Sequence, residues 1–166
     1  MSIKDHALLV SLTVNKPQMT QKDGKATADA ESANNAHGAG QYRKDLYPKS
    51  LVQPIVAIET QARAYIDSTT YPWHRGEDLL PSARFMQFAD RMAKFDLEFD
   101  QAVTAFLNNW SNVMQQAQQR QGDLFDAAAY PDLTDLKSDF RFRVNYRPVT
   151  DAQDFRVAMQ DDEMDA

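Results

Sequence analysis

From Ser82 to Gln121 the chain contains no proline or glycine. Along it Phe85, Phe88, Met92, Phe95, Phe99, Ala102, Phe106, Trp110, Val113 and Ala117 recur at intervals of three and four. That spacing puts every one of them on the same face of an α-helix. A helix of about 38 residues is about 57 Å long, more than a small domain can enclose. The sequence therefore predicts that part of the helix projects, and that its stripe is covered by another helix or by another copy of the chain.

A second helix is written into "YPKSLVQPIVAIETQARAYIDSTTYPW", where Leu51, Ile55, Ile58, Ala62 and Tyr65 repeat at helical spacing. Ser50 and Gln53 fit a capping box, Pro54 falls close enough to the start to be tolerated, and the helix is expected to end near Ser68, before a Tyr71-Pro72 turn. A shorter helix, Asp132 to Ser138, is expected to turn Leu133 and Leu136 inward.

Strand signals stand at both ends of the chain. "HALLVSLTV" opens as an apolar run and then alternates through Val10, Leu12 and Val14, as a buried or half-buried strand would. "DFRFRVNYRPVTD", Asp139 to Asp151, alternates Phe140, Phe142, Val144 and Tyr146 with Arg141, Arg143, Asn145 and Arg147. "DFRVAMQ" adds a short strand or helical turn. The predicted class is α+β, dominated by helix: a long helical hairpin packed on a small antiparallel sheet formed by the N-terminal and C-terminal strands.

Between Met19 and Leu46 there is no large aliphatic residue, so residues 18–45 read as a mobile arm, with a weak helix near Ala26 to Asn35. Residues 1–149 are expected to form one α+β domain carrying that arm, and 150–166 an acidic tail. The charge distribution follows this division. Six of the 24 acids and one of the 18 bases fall from Thr150 on, which leaves 18 acids against 17 bases in the body. Basic residues are locally in excess: seven to five over Met1 to Lys49, and four to one over Leu136 to Val149.

Enzyme signatures are missing. The sequence has no phosphate-binding glycine loop, no dinucleotide fingerprint and no nucleophile elbow. With no cysteine, thiolate chemistry, disulfides and cysteine-held zinc are excluded, and the expected compartment is the cytosol. His6, His37 and His74 stand at no metal-ligand spacing. "HGAG", His37 to Gly40, reads as a hinge. Asp96, Glu98 and Asp100 read as the solvated face of the long helix rather than as an acid and base pair. The chain is expected to be non-enzymatic, with no cofactor and no metal. No stretch approaches the apolar length that spans a bilayer, and the start is too short and too charged for a secretory signal.

The arginines carry the functional reading. Period-two alternation sets Arg141, Arg143 and Arg147 on the wet face of a strand at about 6.5 to 7 Å per pair of residues. A row of this kind can follow a single-stranded nucleic-acid backbone by charge. The arm adds Lys16, Lys22, Lys25, Arg43 and Lys44, interleaved with Tyr42 as a stacking group and with Tyr47. The competing reading is a soluble strand face whose arginines pair with nearby acids. Trp73, His74 and Arg75 anchor a turn or stack on a base.

"HALLVSLTV", "GQYRKDLYP", "QARAYIDSTTYPW" and "YPDLTDLKSDFRFRVNYRPV" together resemble bacteriophage proteins of podovirus type. Among these the chain is similar to a single-stranded-DNA-binding cofactor of the phage's own RNA polymerase. The resemblance covers nearly the whole chain and implies DNA binding, a transcription role and residence in the host cytoplasm. It assigns no residues; those named above rest on charge. The expected function is sequence-tolerant single-stranded DNA binding that recruits RNA polymerase, by a homo-oligomer assembled through the long helix. The alternatives are an acidic regulator or DNA mimic acting on a host enzyme, and a structural or assembly protein.

Overall fold

The computed structural model describes residues 3–74 and 76–150. Arg75, the "DFRVAMQ" segment and the acidic end from Asp151 lie outside the described residues. Contacts divide the chain into two compact units. One, here the sheet unit, takes the chain up to Thr13, Thr60–Asp96, and the chain from Phe142 on. The other, here the ribbon unit, takes Val14–Glu59 and Leu97–Arg141.

The elements in chain order are β1 (Ala7–Asn15), β2 (Thr20–Lys22), α1 (Gly24–Ala33), β3 (Arg43–Asp45), α2 (Lys49–Thr69), β4 (Tyr71–His74), β5 (Glu77–Pro81), α3 (Phe85–Asn108), α4 (Trp110–Gln121), α5 (Leu133–Asp139) and β6 (Arg141–Pro148). The class is α+β, dominated by helix. The terminal strands β1 and β6 are neighbours in a four-stranded sheet ordered β4-β5-β1-β6.

In the sheet unit β5 is antiparallel to β1, with Leu8 opposite Leu80 and Leu9 opposite Leu79, and antiparallel to β4. β1 is an interior strand buried on both faces at Leu9 and Val10. That is what an unbroken apolar run requires, since alternating residues point to opposite sides. The C-terminal part of α2 supplies Ala62 and Ile66, and the N-terminal part of α3 supplies Phe88, Met92 and Phe95, all buried. Tyr65 stacks on Phe88 with ring centroids 5.6 Å apart.

The hairpin β4-β5 occupies the stretch that the sequence reads as a turn. Gly76, at φ 78°, takes the left-handed conformation that reverses the chain. Pro72 is accommodated because β4 is an edge strand, where a missing N–H costs no interior ladder bond.

The ribbon unit has its own core. Tyr47 and Ile55 are enclosed with Phe99, Val103, Phe106, Trp110, Val113 and Leu136. Tyr47 meets Phe106 and Trp110 edge-on at 5.4 and 6.0 Å, and Phe106 meets Phe140 at 5.6 Å. Residues 18–45 form α1 and the antiparallel ribbon β2-β3. α1 is capped by Asp23, whose carboxylate accepts from Ala26 N at 2.9 Å, and it contains no buried residue, in keeping with its alanine-rich, aliphatic-poor sequence.

Two expectations change. The long helix is interrupted at Asn109, where φ −91° and ψ 4° separate α3 from α4. Asn108 and Asn109 are side chains that compete with the backbone for hydrogen bonds and hold a helix weakly. The stripe continues across the break, and each unit buries its share. It therefore supplies no uncovered seam for a second copy. Leu133 is exposed, while Leu136 is fully buried. Asp132 caps α5 by accepting from Thr134 N and Asp135 N at 2.8 and 2.9 Å. The short helix that follows packs through Leu136 alone and leaves its first residue in solvent.

Among the described residues no helix is long and apolar enough to cross a membrane.

Candidate nucleic-acid interface

The basic residues of the arm are arranged by the ribbon. β2 and β3 pair Thr20 with Asp45, Gln21 with Lys44, and Lys22 with Arg43. Residues directly opposite in an antiparallel ladder share a face, so Lys22 and Arg43 sit side by side with like charge. Arg43 Nη2 donates to Thr20 Oγ1 at 3.1 Å. Neither cation forms an ion pair with a described residue, and both are exposed.

Open clefts flank the ribbon. One, about 580 Å³, is lined by Lys16, Gln18, Thr20 and Gln21 from the start of the unit, and by Ser138, Asp139 and Arg141 from its end. A second, about 460 Å³, shares Gln21 and Ala129 with the first and adds Lys22, Lys25 and Lys44. Asp123 and Asp126 line it too, so its charge is mixed. Lys44 Nζ donates to Leu124 O at 3.4 Å. A third cleft, about 310 Å³, brings Lys16 and Arg43 together with Met19, Val52 and Val56. Lys16 is also ion-paired with Glu59.

Behind Pro17 and Gln18 of the first cleft, the Tyr47 hydroxyl shares its one proton between Pro17 O and Gln18 O, at 3.4 and 3.3 Å. Burial, with the nearby Asp139 carboxylate, pushes that phenol up to about 12. It therefore stays a donor at any physiological pH.

Tyr42 is 58% exposed. Its backbone N–H donates to Thr27 Oγ1 at 3.0 Å, which fixes it beside α1 in a separate cleft of about 380 Å³ lined by Ala30, Glu31 and Asn34.

The arginine strand is divided. β6 alternates as its sequence predicts, with Arg141, Arg143 and Arg147 exposed and Phe142 and Val144 half-buried. Tyr146 packs edge-on against Phe85 and Phe88 at 5.3 and 6.2 Å, and burial raises its phenol. Arg141 belongs to the ribbon unit, whereas Arg143 and Arg147 belong to the sheet unit. Arg147 is taken up by Glu77: its Nε and Nη2 donate to the two carboxylate oxygens. It is thus not an unpaired cation, and the pairing with acids that competes with DNA binding applies to it. Glu77 is distant in sequence, and nothing in the strand's own alternation could have announced it. Arg141 and Arg143 form no ion pair among the described residues.

His6, His37 and His74 are exposed, as are Asp96, Glu98 and Asp100. Among the described residues no three metal-ligating side chains cluster. No protein-family model, no curated protein and no solved structure matches this chain.

Proposed function

We infer that this is a sequence-tolerant single-stranded DNA-binding protein, with its main phosphate-binding surface on the ribbon unit. The observation that carries this reading is the pairing of Lys22 with Arg43 across the ribbon. Like charges directly opposed destabilise a two-stranded ladder, and an anionic backbone lying over them turns that repulsion into attraction. The adjoining clefts supply further cations along the same path, Arg141 in one and Lys25 and Lys44 in the other, while Lys16 in the first is already ion-paired with Glu59. Glutamine, threonine and serine side chains between them offer hydrogen bonds to phosphate and sugar without reading sequence. Arg143 is a secondary contact on the sheet unit. Recruitment of a phage RNA polymerase in the host cytoplasm belongs to the same proposal and rests on the resemblance of the sequence.

Fluorescence anisotropy with a labelled oligodeoxynucleotide across a salt series tests it. Affinity should fall steeply between low and moderate salt and be weaker for duplex of equal length. Reversing both ribbon charges, K22E with R43E, should weaken binding at least about tenfold, and R141E should act in the same direction, with the circular dichroism melt unchanged. No binding at low salt would overturn the proposal.

A further inference from the structure

Val52 and Val56 stand one turn apart on α2, hence on one face of it. Val52 is buried, but Val56 is only half-buried, as are Pro17 and Met19 in the segment between β1 and β2. These four side chains line the cleft of about 310 Å³, so its walls are apolar and partly open to water. Apolar surface left uncovered in this way forgoes the stabilisation that burial would give. Both walls are fixed. The Tyr47 hydroxyl holds the backbone at Pro17 and Gln18, Leu46 N donates to Met19 O at 2.8 Å, and the opposite wall belongs to a helix of 21 residues. The cleft is therefore formed before anything enters it.

The ribbon places charge at its mouth. Thr20 and Lys22 are two residues apart on β2 and share a face, and Arg43 lies directly opposite Lys22. From there Arg43 reaches along the ladder to the Thr20 hydroxyl, at 3.1 Å, and Thr20 and Arg43 both line the cleft. One guanidinium thus belongs to the cationic pair and to the cleft. Lys16 lines the cleft as well, but it is ion-paired with Glu59. Asp45, opposite Thr20, puts an acid on the same ribbon face but outside the cleft. The Gln18 side chain, exposed at the rim, carries both donors and an acceptor and can turn either toward a ligand.

Apolar walls, a planar cation and an amide at the rim suit a flat heteroaromatic ring with hydrogen-bonding groups on its edge. We propose that this cleft is a slot for one unstacked base of a bound single strand, with the phosphate of that nucleotide held by Lys22 and Arg43. The slot rests on the DNA-binding reading above and deepens it: the cationic pair recognises charge alone, whereas the cleft takes the base. It takes a base of any sequence, because the walls meet ring faces and Gln18 can meet either kind of edge.

The probes are oligothymidylate and an abasic strand of the same length. The chain has seven methionines, and M19A identifies the Met19 signal in NMR of protein labelled at its methionine methyl groups. Oligothymidylate should shift that signal, and the abasic strand, which brings phosphates without bases, should leave it near its free position. V56F fills the cleft without changing charge. It should weaken oligothymidylate binding about five- to fiftyfold and leave abasic binding within about twofold, because the phosphate contacts are untouched. M19A removes one wall and tests the slot even where the larger ring disturbs α2; it should weaken oligothymidylate binding about two- to tenfold. K22E with R43E should weaken both probes. The slot is overturned if V56F and M19A bind oligothymidylate as tightly as wild type while K22E with R43E still binds poorly. It is equally overturned if V56F and M19A weaken the two probes alike, or if the abasic strand shifts Met19 as far as oligothymidylate does. Absence of wild-type binding to either probe removes the charge reading and this one together.

Discussion

Arg147 and Glu77 form a two-point ion pair on the exposed face of the sheet, so one of the three arginines that β6 presents is already satisfied within the chain. Hydrogen bonds from Arg147 hold the Glu77 carboxyl below its ordinary value, and the charge of His74 acts in the same direction. A carboxyl depressed in the folded state contributes stability above its unfolded value and loses that contribution as pH falls through the folded one. Both groups are solvent-accessible, so the contribution is small. E77Q should flatten the acid limb of the stability profile below about pH 4.5, as urea melts between pH 7 and pH 3 would show. It should also release Arg147, raising single-stranded DNA affinity a few-fold and steepening the salt slope by about 0.7. An unchanged slope would mean that Arg147 does not meet phosphate even when freed.

Tyr47 gives the opposite pH limb. Its phenol is raised from 10.0 to about 12, so the folded state holds a proton that the unfolded chain releases first. A group raised on folding contributes fully below its unfolded value and loses that contribution as pH rises through the folded one. Stability should decline between about pH 10 and pH 12, and less steeply in Y47F. Absorbance at the tyrosinate band, followed together with unfolding, checks this. Y47F should also cost about 0.5–1.5 kcal/mol at neutral pH, through loss of the bonds to Pro17 O and Gln18 O.

How far the sequence reveals the structure depends on how much of each signal is local. The apolar spacing through α3 and α4, the unbroken run of β1 and the alternation of β6 are periodic over many residues, and each is found where it was expected. The β4-β5 hairpin escaped because Tyr71-Pro72 and Gly76 are turn residues, and only the edge position of β4 makes Pro72 acceptable in a strand. The ribbon escaped because three-residue strands are too short for alternation to show. The same limit applies to the candidate site. Lys22, Arg43 and Lys44 stand out as basic residues in the arm, but their pairing depends on register, and the Glu77 partner of Arg147 comes from another strand.

Leu133 and Leu136 carry the same side chain on one short helix and differ only in what covers them. Leu136 is 0% exposed and Leu133 49%. Leu136→Ala should destabilise the ribbon unit by about 2–5 kcal/mol through lost transfer energy and the cavity left behind, whereas Leu133→Ala should change stability by about 0.5 kcal/mol or less. Chemical denaturation of the two variants side by side measures both. Equal losses would place both leucines in the core.

The acidic end should act against DNA binding. Val149 is buried with Ala7 and Leu9, and Leu79 packs against them, so a truncation that removes Val149 would damage the sheet unit and confuse the result. A stop after Thr150 spares that cluster and removes six acids against one arginine. The chain left behind is nearly neutral with its basic surface intact. Less general repulsion of phosphate means that single-stranded DNA affinity at low salt should be preserved or raised, with the difference vanishing as salt screens the field. A truncated chain that binds DNA more weakly than the full chain at low salt would show that the acidic segment supports the DNA interface rather than opposing it.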